Sequence, residues 1–148
     1  MNHLEDAALD ERLAATERVG LPSLIGANRS LCALASLTAG DISAARAHLE
    51  EAAAAPLYLE GTAFCLEGLA AVTLAEGDPV RAAAALGAAE GLRERTGIQM
   101  WPVVRKAFEP AIDALDAAGP EVEAARYEGR RMNPRDVFAR LEREAAVR

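Results

Sequence analysis

The sequence predicts an all-α fold of about seven or eight helices arranged as repeating pairs. Three observations predict it. Hydrophobic residues make up 51% of the chain but aromatic residues only 4%, and much of the apolar share is alanine. Strands favour β-branched and aromatic side chains, whereas Ala, Leu, Glu and Arg favour helix. Apolar residues recur at three- and four-residue spacing. A helix–Gly-Asp–helix phrase also occurs twice, 37 residues apart.

Period and punctuation place the helices at 4–17, 22–39, 43–55, 58–76, 79–96, 102–118, 120–131 and 134–147. Gly40 closes the second, where a left-handed C-terminal cap favours glycine. The fourth carries Leu59, Ala63, Leu66, Ala70 and Leu74 on one face and ends before Gly77. Asp78-Pro79 opens the fifth with an N-cap residue and a proline at the first helical position. That helix presents Ala82, Leu86, Ala89 and Leu92, and stops at Gly97. Pro102 opens the sixth, with Val104, Phe108, Ile112 and Leu115 in register, and Gly119 follows it. Pro120 opens the seventh. Asn133-Pro134 opens the eighth, with Phe138, Leu141 and Ala145 in register. No run alternates apolar and polar residues as a strand would.

The repeat fixes the expected organisation. Leu37-Thr38-Ala39-Gly40-Asp41 corresponds to Leu74-Ala75-Glu76-Gly77-Asp78. At the same offset Ala45 matches Ala82, Leu49 matches Leu86, and Ala52 matches Ala89. Carried backward, the offset puts 6–18 in the place of a second helix, with Ala8 and Ala15 in register. The 148 residues are expected to form one domain. It comprises a half repeat at 4–18, repeats at 22–55 and 58–96, and a non-repeating helical cap at 102–147. A repeat cannot bury its inner face alone. A dimer, or another cover, is therefore expected over 4–39; the alternative is that the chain is cut from a longer array.

Charge and composition exclude several functions. The formal net charge is -7, and an acidic body repels phosphate backbones, so direct nucleic-acid binding is not expected. The last stretch, from Pro120, holds seven arginines against six acids and reads as a solvated helix face. No basic-then-apolar leader opens the chain. No segment reaches the roughly 18 apolar residues of a membrane span; 63–75 comes closest, but it is too short and contains Glu67. Cys32 and Cys65 lie in apolar helical stretches and read as small core residues in a reducing cytoplasm.

Catalysis needs a nucleophile with a base, a metal site, or an acid/base pair in a pocket. His48 and Glu51 share a helix face, but two ligands without a third make a poor metal site. Neither cysteine has a histidine near it in sequence, and the carboxylates form no evident pair. The expectation is a non-catalytic chain with no cofactor and no metal. Glu67 interrupts an apolar helix, so it points into a groove or pairs with an arginine of the next helix. Trp101 either plugs the junction between the repeats and the cap or stands exposed as a partner anchor, a frequent role for tryptophan.

The long helix, Gly-Asp and shorter Ala-started helix resemble a tetratricopeptide (TPR) repeat, with a period slightly above the usual ~34 residues. Within 65–97, the segments Cys65-Leu66-Glu67-Gly68-Leu69-Ala70-Ala71 and Leu86-Gly87-Ala88-Ala89-Glu90-Gly91-Leu92-Arg93 resemble a narrower group. This is the C-terminal TPR-like region of actinobacterial LuxR-family ATPase-type transcriptional regulators. Tyr127-Glu128-Gly129-Arg130 and Met132-Asn133 resemble that family's closing segment, so the likeness runs over about 20–145. No Gly-x-x-x-x-Gly-Lys-[Ser/Thr] phosphate loop is present, the only lysine is Lys106, and no helix-turn-helix is evident. The resemblance therefore implies only the helical interaction region.

By that resemblance the first helix of each pair lines an inner surface. Asn28, Arg29, Tyr58, Glu60 and Glu67, with Trp101, are the candidate contacts for a protein or peptide partner or for other domains of a larger regulator. The expected function is a cytoplasmic interaction or regulatory domain in transcription regulation or signalling. The alternative is a sensor that binds a small-molecule inducer in the helical groove.

Overall fold

The computed structural model describes residues 3–55 and 57–146. Among these, the chain forms eight helices and no strand: α1 (His3–Val19), α2 (Pro22–Ala39), α3 (Ile42–Ala54), α4 (Leu59–Ala75), α5 (Pro79–Thr96), α6 (Pro102–Asp116), α7 (Pro120–Arg131) and α8 (Pro134–Ala146). Every expected helix is present, and the ends differ by no more than about two residues; the expected end of the last, at 147, lies outside the described residues. Among the described residues, no helix is long and apolar enough to cross a membrane.

The two Gly-Asp junctions are built alike. Gly40 and Gly77 have φ of 80° and 86°, in the left-handed region that costs glycine least. Asp41 then accepts a hydrogen bond from the Ala44 amide at 2.9 Å, and Asp78 accepts one from the Arg81 amide at 3.2 Å. The residues that match at the 37-residue offset are also alike in burial. Ala45, Leu49 and Ala52 on α3, and Ala82, Leu86 and Ala89 on α5, are all buried.

Small residues set the helix spacing. Leu49 of α3 lies over Gly68 of α4, where a methyl group would meet its side chain. The core is rich in alanine: Ala33, Ala45, Ala52, Ala82, Ala83, Ala85, Ala88 and Ala89 have no exposed surface. One buried cluster runs from Ala33 to Leu141.

The most extensive helix contact joins α5 to α7 and leaves out the intervening α6. A methyl group on Gly87 would fall on the carbonyl oxygen of Arg126. One on Gly91 would fall on that of Arg130, and one on Gly129 on that of Ala84. The two backbones therefore touch, a distance at which Cα–H groups contact carbonyl oxygens directly. Gly87 meets Arg126 and Gly91 meets Arg130, so the two helices run parallel. Glu90 lies between the two α5 glycines and accepts hydrogen bonds from Arg126 and Arg130 of α7. Arg126 also pairs with Asp116 at the end of α6.

The chain returns from α5 to α7 through α6, which packs on α4. Phe108 meets Phe64 edge-on, with ring centroids 5.6 Å apart and planes at 68°. α8 packs against α5 and α4 through Val137 and Leu141, both buried. Arg81 of α5 donates to the Leu141 carbonyl at 2.8 Å.

Gly87→Ala or Gly129→Ala should force α5 and α7 apart and cost at least the ~1–3 kcal/mol typical of overpacking, measured by urea denaturation. Gly61→Ala lies on the same fold but would make only ordinary contact with Leu57. That variant should be neutral or stabilised by up to about 1 kcal/mol through helix propensity.

Candidate functional site

α2, α4 and α6 come together along one side of the protein, and an apolar trough of about 470 Å³ runs between them. Leu34 and Leu37 of α2, Ala71 of α4, and Val103, Phe108 and Pro110 of α6 line it. Thr38 and Lys106 are its polar lining residues. The helical period puts these side chains on one face of each helix, and Phe108 is held there by Phe64. Val103 is 72% exposed, a large apolar side chain facing water.

The candidate contacts lie elsewhere. Asn28 is buried and donates to the Thr16 hydroxyl of α1 at 2.5 Å. Arg29 donates to Glu17 at 3.0 Å and lies 2.6 Å from Glu51, so it joins α1, α2 and α3. Tyr58 precedes α4 and is 76% exposed, and Glu60 is half-buried in the first turn of that helix. Glu67 is buried, and Trp101, just before α6, is 61% exposed. None of the six lines the trough. The exposure of Trp101 excludes the reading in which it plugs the junction between the repeats and the cap. The trough was not legible in the sequence: Phe108 reads there as a core position and Leu37 as part of the repeat, and only the stacking of three helices brings them to one opening.

Glu67 meets the arginine of the next helix. Arg93 donates to both carboxylate oxygens, at 2.6 and 2.9 Å, and reaches the Ile98 carbonyl at 3.4 Å. The Glu67 side chain is 1% exposed. Burial pushes its carboxyl above the ordinary value, and the hydrogen bonds and charge of Arg93 offset only part of that. The pair ties α4 to α5 and to the segment after it, and it is enclosed by structure rather than offered to a ligand.

Both cysteines are buried thiols. Cys65 donates to the Leu49 carbonyl at 3.5 Å, and burial pushes its thiol up to about 12. Burial also raises Cys32. A nucleophilic cysteine needs a thiolate, which both sites disfavour. His48 lies 3.4 Å from an Arg29 nitrogen. Glu51, its potential co-ligand, is paired with the same arginine. Among the described residues, no group of three or more His, Cys, Asp or Glu side chains could hold a metal ion.

No protein-family profile, curated protein or solved structure matches the chain.

Removing one member of the buried pair, by Glu67→Ala or Arg93→Ala, should cost about 3–5 kcal/mol, because it strands the other charge. The double replacement Glu67→Leu/Arg93→Met should be markedly closer to wild type, as read by denaturation midpoints. Cys65 in the native protein should resist a thiol reagent at pH 8, where its thiol keeps its proton, and should react only on unfolding. Rapid native labelling at Cys65 would contradict that burial.

Proposed function

We propose that the chain is a TPR-like array of helix pairs that binds a protein or peptide partner and has no catalytic role of its own. The observation that carries this reading is the open apolar trough along α2, α4 and α6. α2 and α4 are the first helices of the two repeat pairs, the ones expected to line the inner surface of such an array, and α6 opens the cap that follows them. Exposed apolar side chains grouped in one groove are what a partner side chain would cover. Val103 on the trough and Trp101 two residues before it are the anchors.

The two Gly-Asp junctions and the equivalent burial of Ala45/Ala82, Leu49/Leu86 and Ala52/Ala89 support the repeat reading. The likeness to LuxR-type regulators gives the setting, an interaction region in cytoplasmic transcription regulation, with other regulator domains as candidate partners. A dimer that covers α1 and α2 belongs to the same reading; Val19, Leu21 and Leu24 are exposed there. The non-catalytic part rests on His48 lying against Arg29 and on two thiols that burial keeps protonated.

A small-molecule sensor would use a pocket that encloses most of its ligand and adds convergent polar groups. The trough is open and offers only Thr38 and Lys106 as polar lining residues, which favours partner side chains over a metabolite.

A displayed random-peptide library panned against wild type and against Val103→Asp should enrich peptides on wild type only. Those peptides should shift the fluorescence of Trp101 to the blue and bind the variant about tenfold or more weakly, as expected for loss of a buried anchor. Equal enrichment on both proteins, or a metabolite that raises the melting temperature when no peptide binds, would sink the proposal.

A further inference from the structure

A second groove, sharing no lining residue with the trough, opens between the end of α3, the start of α4, the end of α5 and α8, with a volume of about 1030 Å³. Its apolar lining includes Ala54, Leu57, Leu92 and Phe138. Its charged lining is Arg95, Arg131 and Arg135, against one carboxylate, Glu142.

These three arginines differ from the others that shape the fold. Arg29, Arg46, Arg81, Arg93, Arg126 and Arg130 each have a carboxylate within ion-pair distance. Among the described residues, no ion pair involves Arg95, Arg131 or Arg135. Two of them are nevertheless held in place. Arg95 donates to the Arg130 carbonyl at 2.8 Å, and Arg131 lies 5.9 Å from the centre of the Tyr127 ring. A carbonyl dipole and an aromatic face orient a guanidinium without neutralising it. In a chain of net charge -7, the groove is thus a local excess of positive charge, three arginines against Glu142, beside apolar surface.

We propose that this groove docks an acidic amphipathic helix of a partner protein. The partner's leucine-like side chains cover Leu57, Leu59 and Phe138, and its carboxylates meet Arg95, Arg131 and Arg135, where guanidinium and carboxylate match two bonds to two. The recognition mode follows by elimination. Strand addition needs a sheet edge, and the described residues contain no strand. A proline-rich segment needs an aromatic-lined groove, and Phe138 is the one aromatic in the lining. A small anion would leave the apolar floor uncovered, and a groove of this size and openness does not enclose a ligand. Nucleic acid would meet the repulsion of the acidic body.

The test is fluorescence anisotropy on the full chain. The probe is a labelled peptide of about 18 residues, long enough to form helix, with leucines at i, i+3, i+4 and i+7 and glutamates at the flanking positions. Binding should saturate and weaken as salt rises. It should fall about tenfold or more for Arg131→Glu/Arg135→Glu, by less for Arg131→Gln/Arg135→Gln, and stay unchanged for Val103→Asp. The last arm separates this groove from the trough, so either site can fail alone. Circular dichroism checks that the variants fold.

Four outcomes overturn the proposal. One is equal binding of a lysine-for-glutamate or leucine-scrambled peptide. Another is wild-type affinity in the folded Arg131→Glu/Arg135→Glu variant. Full competition by millimolar citrate would make this a small-anion site. Self-association that the same variant abolishes would make the occupant a second copy.

Discussion

The backbone contact between α5 and α7 is the constraint from which the rest of the arrangement follows. Two helices can touch at this distance only where neither carries a side chain, and Gly87, Gly91 and Gly129 clear the way. The contact also fixes electrostatics. Glu90 stands between the two α5 glycines, within reach of Arg126 and Arg130, so the charged network closes only while the backbones touch. Because α5 and α7 run parallel, the chain must travel back between them, and α6 is that return. It is displaced onto α4, and this displacement opens the trough. α8 follows from α7 and is laid against α5 and α4, which builds the arginine groove. Both candidate surfaces are consequences of where α7 sits.

Much of the local structure was legible in the sequence because its causes are local. A glycine that must adopt positive φ, an aspartate that caps the next turn and a proline at a first helical position each act within a few residues. They placed eight helices at nearly their observed ends. Burial at positions 37 residues apart was legible for a related reason: Ala45 and Ala82, and Leu49 and Leu86, sit alike on their helices and are buried alike. Leu59 is the exception in its period, since it lies in the first turn of α4, where no helix covers it.

What was not legible is which face meets which. Periodicity shows that a helix has a buried stripe and says nothing of the neighbour that buries it. The extensive packing of α7 on α5 is of this kind, since nothing in the local pattern of either helix names the other. Asn28 and Arg29 read as groove residues because they are polar on a first helix; they are instead spent on Thr16, Glu17 and Glu51, contacts set by how α1 lies on α2. Glu67 could be narrowed to a groove or an arginine, and only the α4–α5 crossing decides for Arg93. The trough and the arginine groove combine residues from three or more helices, so no sequence window contains either.

The alanine core has a consequence for how the molecule is interrogated. Scanning a protein with alanine reveals positions where a side chain's atoms matter. Here eight core positions are already alanine and bear no exposed surface, so such a scan reads Leu49, Leu66 and Val72 but passes over the close helix contacts between them. The informative experiment there is enlargement. Each added methylene at Ala83 or Ala88 must push two helices apart, and the graded response would map helix separations one contact at a time.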